Sequence, residues 1–218
     1  MTSPWWPLTG LRLRTPRLEL RLPSGADLDS LATLAAAGVH DPAVQPFTIP
    51  WTDAGPAERA RGLLQYHWSR WAAFSPADWS LELAVRQGGI IVGMQGVGAK
   101  DFAILREVET GSWLGQGFHG RGIGTEMRAA VLHLAFAGLG AESAVSAAFS
   151  DNLASQTVSR KLGYQHDGIT RLVSRGQPAT QIRFRLDRAA WAAQARPPVT
   201  IEGLAPCLPM FGLAPGDE

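Results

Sequence analysis

The stretch Gly117-Phe118-His119-Gly120-Arg121-Gly122-Ile123-Gly124-Thr125 decides how this chain of 218 residues is interpreted. It holds four glycines and lies between a segment with strand-like alternation and one with helix-like apolar spacing. The start of a helix leaves about four backbone N–H groups unpaired and carries roughly half a positive charge. Glycines let the backbone approach a ligand closely. The stretch therefore predicts an anion site, most naturally for a phosphate.

A glycine-rich stretch such as this one has three other interpretations. The nucleoside-triphosphate loop ends in Gly-Lys-Ser/Thr, and Gly122-Ile123-Gly124 does not fit it. Gly115-x-Gly117-x-x-Gly120 matches the dinucleotide fingerprint, but repeated strand-helix-strand units are missing around it. Dinucleotide binding therefore stays an alternative, and so does a plain glycine-rich turn before a helix.

Two motifs and a strand carry a resemblance to a known family. His119-Gly120-Arg121-Gly122-Ile123-Gly124 resembles the acyl-CoA pyrophosphate loop, Gln/Arg-x-x-Gly-x-Gly/Ala, of the GNAT superfamily of N-acyltransferases, with His119 in place of the usual Gln or Arg. Asn152-x-x-Ser155-x-x-Val158-x-x-Lys161-Leu162-Gly163-Tyr164 is similar to a signature of the Rim-type branch, which acetylates ribosomal-protein N-termini. Residues 11–21 resemble the first strand of that branch, so the resemblance covers about residues 10–187.

The resemblance implies acetyl-CoA as cosubstrate and a donor site along the strand that enters the loop. In the family a bulge splays this strand from its neighbour, and the pantetheine arm pairs with the freed backbone edge. Gly115 and Gly117 suit such a bulge, and an N–H near Leu114 is the expected oxyanion donor. The implied donor-binding residues are Leu114, Gln116, His119, Gly120, Arg121, Gly122, Ile123, Gly124, Thr125, Asn152 and Ser155.

Acyl transfer to an amine also needs a base and a proton for the departing thiolate. By resemblance we expect Glu109 to act as the base through water, with Glu107 and Glu82 as alternatives. Many relatives place an acidic tyrosine where this chain has Ser159. The resemblance to Rim-type enzymes implies that the serine three residues after the motif's asparagine, here Ser155, supplies this proton instead. Asn152 then binds the pantetheine or orders a water. Tyr164 is expected in the core.

The acceptor is expected to be a primary amine, either a protein N-terminus or a small molecule. Phe47 and Trp51, on a proline-rich loop, are candidates to line its pocket. A second class of function stays open, a regulatory or scaffold protein that binds CoA without turnover, because Ser159 replaces the usual tyrosine.

The composition and charge of the chain limit the classes of partner that it is expected to bind. The net charge is +1 and the arginines are dispersed, so no nucleic-acid partner is expected. The single Cys207, the absence of a signal-peptide pattern and the absence of a long apolar run predict a cytoplasmic protein without a membrane segment. The five histidines show no metal spacing, and none of these residues is assigned to a metal site. We expect a monomer or homodimer.

The periodicities predict an α+β fold, a mixed sheet of about seven strands flanked by about four helices. Residues 11–22 are interpreted as one strand bent at Thr15-Pro16, and residues 25–38 as a helix capped by Ser24 or Asp27. A second helix from Pro56 to about Phe74 is expected to place Leu63, Leu64, Trp68 and Trp71 on one face. Residues 1–9 form an N-terminal segment, residues 10–187 the domain, and residues 188–218 a proline-rich arm packed on the domain or a partner subunit.

Overall fold

One large mixed β-sheet organises the molecule. The computed structural model describes residues 3–214. In this part of the chain nine strands lie in the order β7-β8-β6-β5-β4-β3-β2-β1-β9. Each pair of neighbours is antiparallel except β5 and β6, which are parallel. The strands are β1 Arg12–Arg14, β2 Leu18–Arg21, β3 Asp78–Gln87, β4 Ile90–Lys100, β5 Glu107–Leu114, β6 Ser143–Phe149, β7 Gln165–Ser174, β8 Gln177–Asp187 and β9 Thr200–Glu202.

Helices cover both faces of this sheet. They are α1 Gly25–Ala37, α2 Pro56–Ala73, the single turn α3 Phe102–Leu105, α4 Ile123–His133, α5 Leu153–Lys161 and α6 Arg188–Ala193. A π-helical segment, Leu134–Gly138, continues α4. Helices α1 and α2 pack together on one face, and α4 packs with α5 on the other. The expected α+β fold is confirmed.

Local sequence signals explain where α1 begins and ends. The Ser24 hydroxyl accepts a hydrogen bond from the Asp27 N–H, and the Asp27 carboxylate accepts one from the Ser24 N–H, which forms a capping box. The helix stops at Gly38, whose φ of 127° lies outside the range that most side chains tolerate. Ser24 is therefore the N-cap, and Asp27 is its partner in the first turn.

The two faces of the sheet carry unequal cores. On the α4 side, β3 buries Leu81 and Leu83 in a large cluster that includes Met127. On the side of α1 and α2, a smaller cluster contains Leu31 of α1 and Trp113 of β5. The alternation of side chains along β3, β4 and β5 divides them between these faces. The smaller cluster leaves room for a cavity between α2 and the sheet.

The structure corrects several expectations about the elements. The segment 11–22 forms an antiparallel hairpin, β1 and β2, because the chain reverses between Arg14 and Leu18. This split and the added strand β9 raise the number of strands from the expected seven or so to nine. Helix α2 turns Leu63 and His67 inward and leaves Trp68 53% exposed, so its buried side is centred on Leu63 and His67 and does not include Trp68.

The C-terminal segment packs against the first hairpin. β9 pairs with β1, with Ile201 opposite Leu13. Beyond it Cys207 and Phe211 are buried, and the Phe211 ring lies 4.9 Å from the ring of Trp79. We keep the boundary of the arm at residue 188 as a proposal about domain organisation.

Candidate functional site

The sheet opens between its two parallel strands. β5 pairs with β4 over Glu109–Leu114, but its pairing with β6 covers only residues 107–109, opposite residues 143–145. β6 continues to Phe149 while paired with β8 on its other side. A single 3.5 Å contact, from Ser146 Oγ to the Thr110 carbonyl, lies just beyond the last paired residues. The two strands therefore splay apart and form a V-shaped gap.

The backbone of β5 presents hydrogen-bonding groups to this gap. The Gly115 N–H donates to the Val92 carbonyl at 3.0 Å. Hydrogen-bonded and non-hydrogen-bonded positions alternate in an antiparallel ladder. The N–H and C=O groups of Ser112 and Leu114 consequently turn away from β4, towards the gap. Since the His119 ring bonds the Leu114 carbonyl, the N–H and C=O of Ser112 and the N–H of Leu114 can pair with an extended chain inserted there, as an added strand would.

The expected bulge in this strand is absent from the described ladder. The β4–β5 register runs without a shift from Gly98↔Glu109 to Gly93↔Leu114. A shift occurs instead at Val85/Arg86, between β3 and β4. Gly115 has another role, since a Cβ there would lie 2.4 Å from Leu34 Cδ1 of α1. The glycine allows close packing of α1, and the splay arises where β5 and β6 stop pairing.

The glycine loop follows β5 directly. Gly120 and Gly122 have φ values of 74° and 76°, which favour glycine. Gly122 is the N-cap of α4 without a side-chain capping bond. Within residues 3–214 the N–H groups of Ile123, Gly124 and Thr125 donate to no protein acceptor. Unpaired donors at a helix start, next to exposed glycines, form a cradle that fits a diphosphate.

A side chain from the first hairpin supports this loop. Arg17, between β1 and β2, donates to the Arg121 carbonyl at 3.1 Å and forms an ion pair with Glu126 at 2.6 Å. The Glu126 carboxylate is buried in the first turn of α4 and also accepts a bond from Thr15 Oγ1 at 2.5 Å. The expected first strand thus reaches the anion loop and holds its backbone in place.

The donor-site residues expected from sequence are brought to one end of the sheet, but not all offer the expected groups. The Gln116 N–H donates to the Gly38 carbonyl at 3.2 Å, so it is already used. The His119 ring bonds the Leu114 carbonyl at 3.1 Å through Nε2. Arg121 is exposed, with its guanidinium 5.7 Å from the centre of the Phe118 ring. Gly124 lies near both Val158 of α5 and Leu114 of β5.

The start of α5 borders the same region. Asn152 Oδ1 accepts the Ser155 N–H at 3.1 Å, so this side chain caps the helix. The Ser155 hydroxyl makes no hydrogen bond within residues 3–214 and remains available. Ser159 is fully buried, accepts a bond from Arg128 at 3.0 Å and donates to the Ser155 carbonyl at 3.2 Å. Ser159 is therefore a packing residue at the position where relatives carry an acid.

Tyr164 lies in the core, as expected. Its side chain is 3% exposed, and its hydroxyl is 3.3 Å from Thr110 Oγ1. The buried Arg128, Ser159 and Tyr164 form a polar layer beneath the gap. Burial raises the pKa of Tyr164.

A cavity of about 980 Å³ lies on the opposite face, between α2, the loop before it and strands β3–β5. Phe47 and Trp51 line it, with ring centres 5.3 Å apart, and Trp51 lies 5.8 Å from Trp113. This volume and its aromatic lining are typical of a pocket for a small molecule. The cavity extends to β5, the strand that also borders the gap between β5 and β6.

The three candidate carboxylates all line this cavity but differ in environment. Glu107 forms an ion pair with Arg185 and accepts a bond from Ser143 Oγ at 2.7 Å, so it is engaged. Glu109 is exposed and has no hydrogen-bond partner in the described part of the chain. Glu82 is 4% exposed, and its Oε1 accepts bonds from Tyr66 Oη and Ser80 Oγ, each at 2.7 Å. Burial raises the pKa of Glu82, although both hydrogen bonds act to lower it.

Sequence reasoning missed the floor of the cavity and one wall residue. Gly96, Gly98 and Gly111 line the floor, and Tyr66 comes from α2. The alternation Gly96-x-Gly98 was a usable signal, because glycines inside a strand often mark the close approach of a ligand. Tyr66 carried no signal, since its contact with Glu82 joins positions sixteen residues apart.

Within residues 3–214, three or more His, Cys, Asp or Glu side chains are nowhere grouped so that they could hold a metal ion. None of the helices in that range combines the length and hydropathy that a bilayer crossing demands.

Comparison with known proteins gives a family and a fold. The family model described as "Acetyltransferase (GNAT) domain" matches residues 17–165. RimJ of Mycobacterium smegmatis, in complex with CoA-disulfide, is 18% identical with a TM-score of 0.70, over 96% of this chain and 97% of that chain. RimL, a ribosomal-protein alpha-N-acetyltransferase solved with coenzyme A, is 18% identical with a TM-score of 0.64, over 81% and 97%. The microcin self-immunity acetyltransferase MccE, with acetyl-CoA and AMP, is 17% identical with a TM-score of 0.60, over 79% and 93%.

Proposed function

The chain belongs to the GNAT acetyltransferase family, and we propose that it moves an acetyl group from acetyl-CoA to a primary amine by direct attack in a ternary complex. The proposal rests on one observation: two backbone features that can bind acetyl-CoA follow each other directly in the chain. The open edge of β5 leads directly into the unpaired N–H groups at the start of α4. An extended pantetheine fits the first and a diphosphate fits the second.

The residues of the donor side have separate roles in this proposal. Backbone N–H groups from Gly120 to Thr125 hold the diphosphate, with Arg121 as an added cation, whereas the expected His119 N–H already donates to the Gln116 carbonyl at 3.3 Å. The Leu114 N–H, which faces the gap, stabilises the oxyanion that forms on the acetyl carbonyl. Asn152 acts by capping α5, and the free Ser155 hydroxyl gives its proton to the departing thiolate.

The cavity on the α2 side receives the acceptor, with Phe47 and Trp51 in its wall. A carboxylate on the cavity floor removes the proton of the ammonium group, since an amine must be neutral to attack. Glu109 and Glu82 remain candidates for this base, whereas Glu107 is held by Arg185. The acceptor is a protein N-terminus or a small amine. We place the protein in the cytoplasm, as a monomer or homodimer.

A second candidate function is a CoA-binding regulatory or scaffold protein. The buried, doubly hydrogen-bonded Ser159 favours it, because the tyrosine acid of many relatives is absent.

One pair of measurements tests both functions. Calorimetry with coenzyme A measures the donor site, and thiol release from acetyl-CoA across a panel of amines and short peptides measures turnover. Affinity together with amine-dependent release supports the transferase. Affinity without release from the whole panel identifies the binding protein, and lack of affinity refutes the donor site itself.

A further inference from the structure

A row of three paired positions crosses the cavity floor. Glu82 of β3 lies opposite Gly96 of β4, and Gly96 lies opposite Gly111 of β5. Directly paired positions point to the same face of a sheet, and all three line the cavity. Only the first has a side chain. The Glu82 carboxylate extends over Gly96, where a Cβ would lie 2.5 Å from Oε2.

This row brings the carboxylate close to the sheet opening. Neighbouring strands are about 4.8 Å apart, so a carboxylate above Gly96 is about one strand spacing from Gly111. Gly111 belongs to the part of β5 that has separated from β6. A Cβ there would meet no protein atom within 4 Å. A nitrogen atom above Gly111 is therefore within reach of Glu82 and borders the edge proposed to hold the thioester.

The free oxygen of Glu82 needs a hydrogen-bond donor. Tyr66 and Ser80 both bond Oε1, and Oε2 is buried without a partner in the described structure. A buried carboxylate oxygen without a donor is costly, and a cationic donor is the strongest remedy. The Tyr66 bond fixes which oxygen stays free.

Other unpaired polar atoms surround the same cavity. They are both ring nitrogens of His67 and Nε of Arg70. Buried polar groups normally have partners, so their concentration here indicates a ligand with polar atoms. The aromatic wall of Phe47, Trp51 and Trp113 supplies an apolar surface beside them.

The loop before α2, which carries Phe47 and Trp51, also narrows the entrance to the cavity. Thr48 Oγ1 accepts a bond from Gln181 of β8 at 2.8 Å, and Asp53 forms an ion pair with Arg175 at 2.5 Å. These contacts fasten the loop to the β7–β8 hairpin. Protein therefore covers part of the rim, which favours an enclosed small molecule over a polypeptide running through the site.

We propose that the cavity takes a small primary amine with an aromatic body, and that Glu82 binds its ammonium group and accepts its proton. The inference rests on the proposed transferase function and names its acceptor class. The O–H bond forms on Glu82 Oε2 as one N–H bond of the ammonium breaks. The freed nitrogen pair forms the C–N bond, and the C–S bond breaks with its electrons leaving on sulfur. The surplus proton of the nitrogen replaces the one that the Ser155 hydroxyl gives to that sulfur, and Glu82 returns its own proton to water.

Binding of matched probes tests the role of Glu82. Calorimetry compares 2-phenylethylamine with 2-phenylethanol, on the full chain alone and saturated with coenzyme A. We expect the wild type to prefer the amine at least about tenfold, roughly 1.4 kcal/mol, and Glu82→Gln to lose the preference. Gln keeps an acceptor for Tyr66 and Ser80. Glu142→Gln, which removes an exposed carboxylate, is the control and keeps the preference.

The outcomes separate the inference from the proposed function. Equal affinity for the two probes in the wild type, or an unchanged preference in Glu82→Gln, overturns the role of Glu82. If thiol release from acetyl-CoA is faster with a hexapeptide beginning in serine than with 2-phenylethylamine, the small-amine acceptor is wrong. Absence of coenzyme A affinity refutes the donor site, while the titration without coenzyme A still tests Glu82.

Discussion

The anion loop can be tested with two glycines that share a backbone conformation but not a location. Gly120, in the loop, has a φ of 74°, and Gly176, in the β7–β8 turn, has a φ of 73°. A Cβ at either position would meet no other protein atom within 4 Å. Because the two φ angles match, alanine at either position introduces a comparable backbone strain without a protein clash. Any difference between Gly120→Ala and Gly176→Ala has to come from a ligand.

The expected magnitudes follow from the strain and from one lost contact. A non-glycine residue in the left-handed region costs roughly 1–2 kcal/mol, so both variants should lose about that much free energy of unfolding. A hydrogen bond to a charged group is worth about 1.5–3 kcal/mol. If the new methyl group keeps one backbone N–H from the diphosphate, Gly120→Ala should bind coenzyme A at least about tenfold more weakly.

Urea unfolding and calorimetry with coenzyme A, both at a temperature where each variant is folded, measure the two quantities. Equal losses of stability with a loss of affinity only in Gly120→Ala support the cradle. Equal coenzyme A affinities in the two variants, at the expected tenfold sensitivity, would show that no phosphate closely approaches this loop.

Three further predictions concern single side chains. Ser155→Ala should lower kcat about tenfold without changing coenzyme A affinity, because a thiolate leaves readily without an acid; unchanged kcat at saturating donor would remove Ser155 from the mechanism. Glu109→Gln should keep kcat/KM for an amine within about twofold of the wild-type value, whereas Glu82→Gln should lower kcat/KM about a hundredfold or more. The reverse order would make Glu109 the base. Burial lowers the pKa of His67 from 6.5 to about 4, so stability should fall as the pH drops from 6.5 towards 4, by about 3 kcal/mol at roughly 1.36 kcal/mol per pKa unit. Urea unfolding near neutral pH and near pH 4 should show a loss about 3 kcal/mol larger in the wild type than in His67→Leu, since carboxylates such as Asp27, whose pKa is lowered in the folded protein, weaken both variants in acid.

The elements predicted well from sequence are those whose signals lie within one segment. The bounds of α1 follow from Ser24, Asp27 and Gly38, which act on backbone groups a few residues away. The glycine loop and the start of α4 are local in the same sense. The hairpin of β1 and β2 was missed because its alternation continues on both sides of Thr15-Pro16. The antiparallel pairing of β1 with β2 and the hydrogen bond from the Thr15 N–H to the Leu18 carbonyl show that the chain reverses there.

The composition of the acceptor cavity depends on the register between strands, and this register cannot be read from the sequence of one segment. Glu82, Gly96 and Gly111 form a row only after three strands have paired. A shift of one residue in either pairing would turn part of the row to the other face of the sheet. As carboxylates on strands the two are equivalent in sequence, and only the family resemblance ranked Glu109 above Glu82. Burial and the contact with Tyr66 distinguish them.

Sequence therefore identifies the acetyl donor more readily than it identifies the amine acceptor. The proposed donor contacts use backbone N–H and C=O groups, so they require a strand, a few glycines and a helix start. Such requirements tolerate wide change in side chains, in keeping with a TM-score of 0.70 to RimJ at 18% identity. The cavity instead takes its character from side chains on α2, β3 and the loop before α2. Similarity of fold thus carries little information about the amine, and the buried carboxylate beside an aromatic wall is the more direct guide to it.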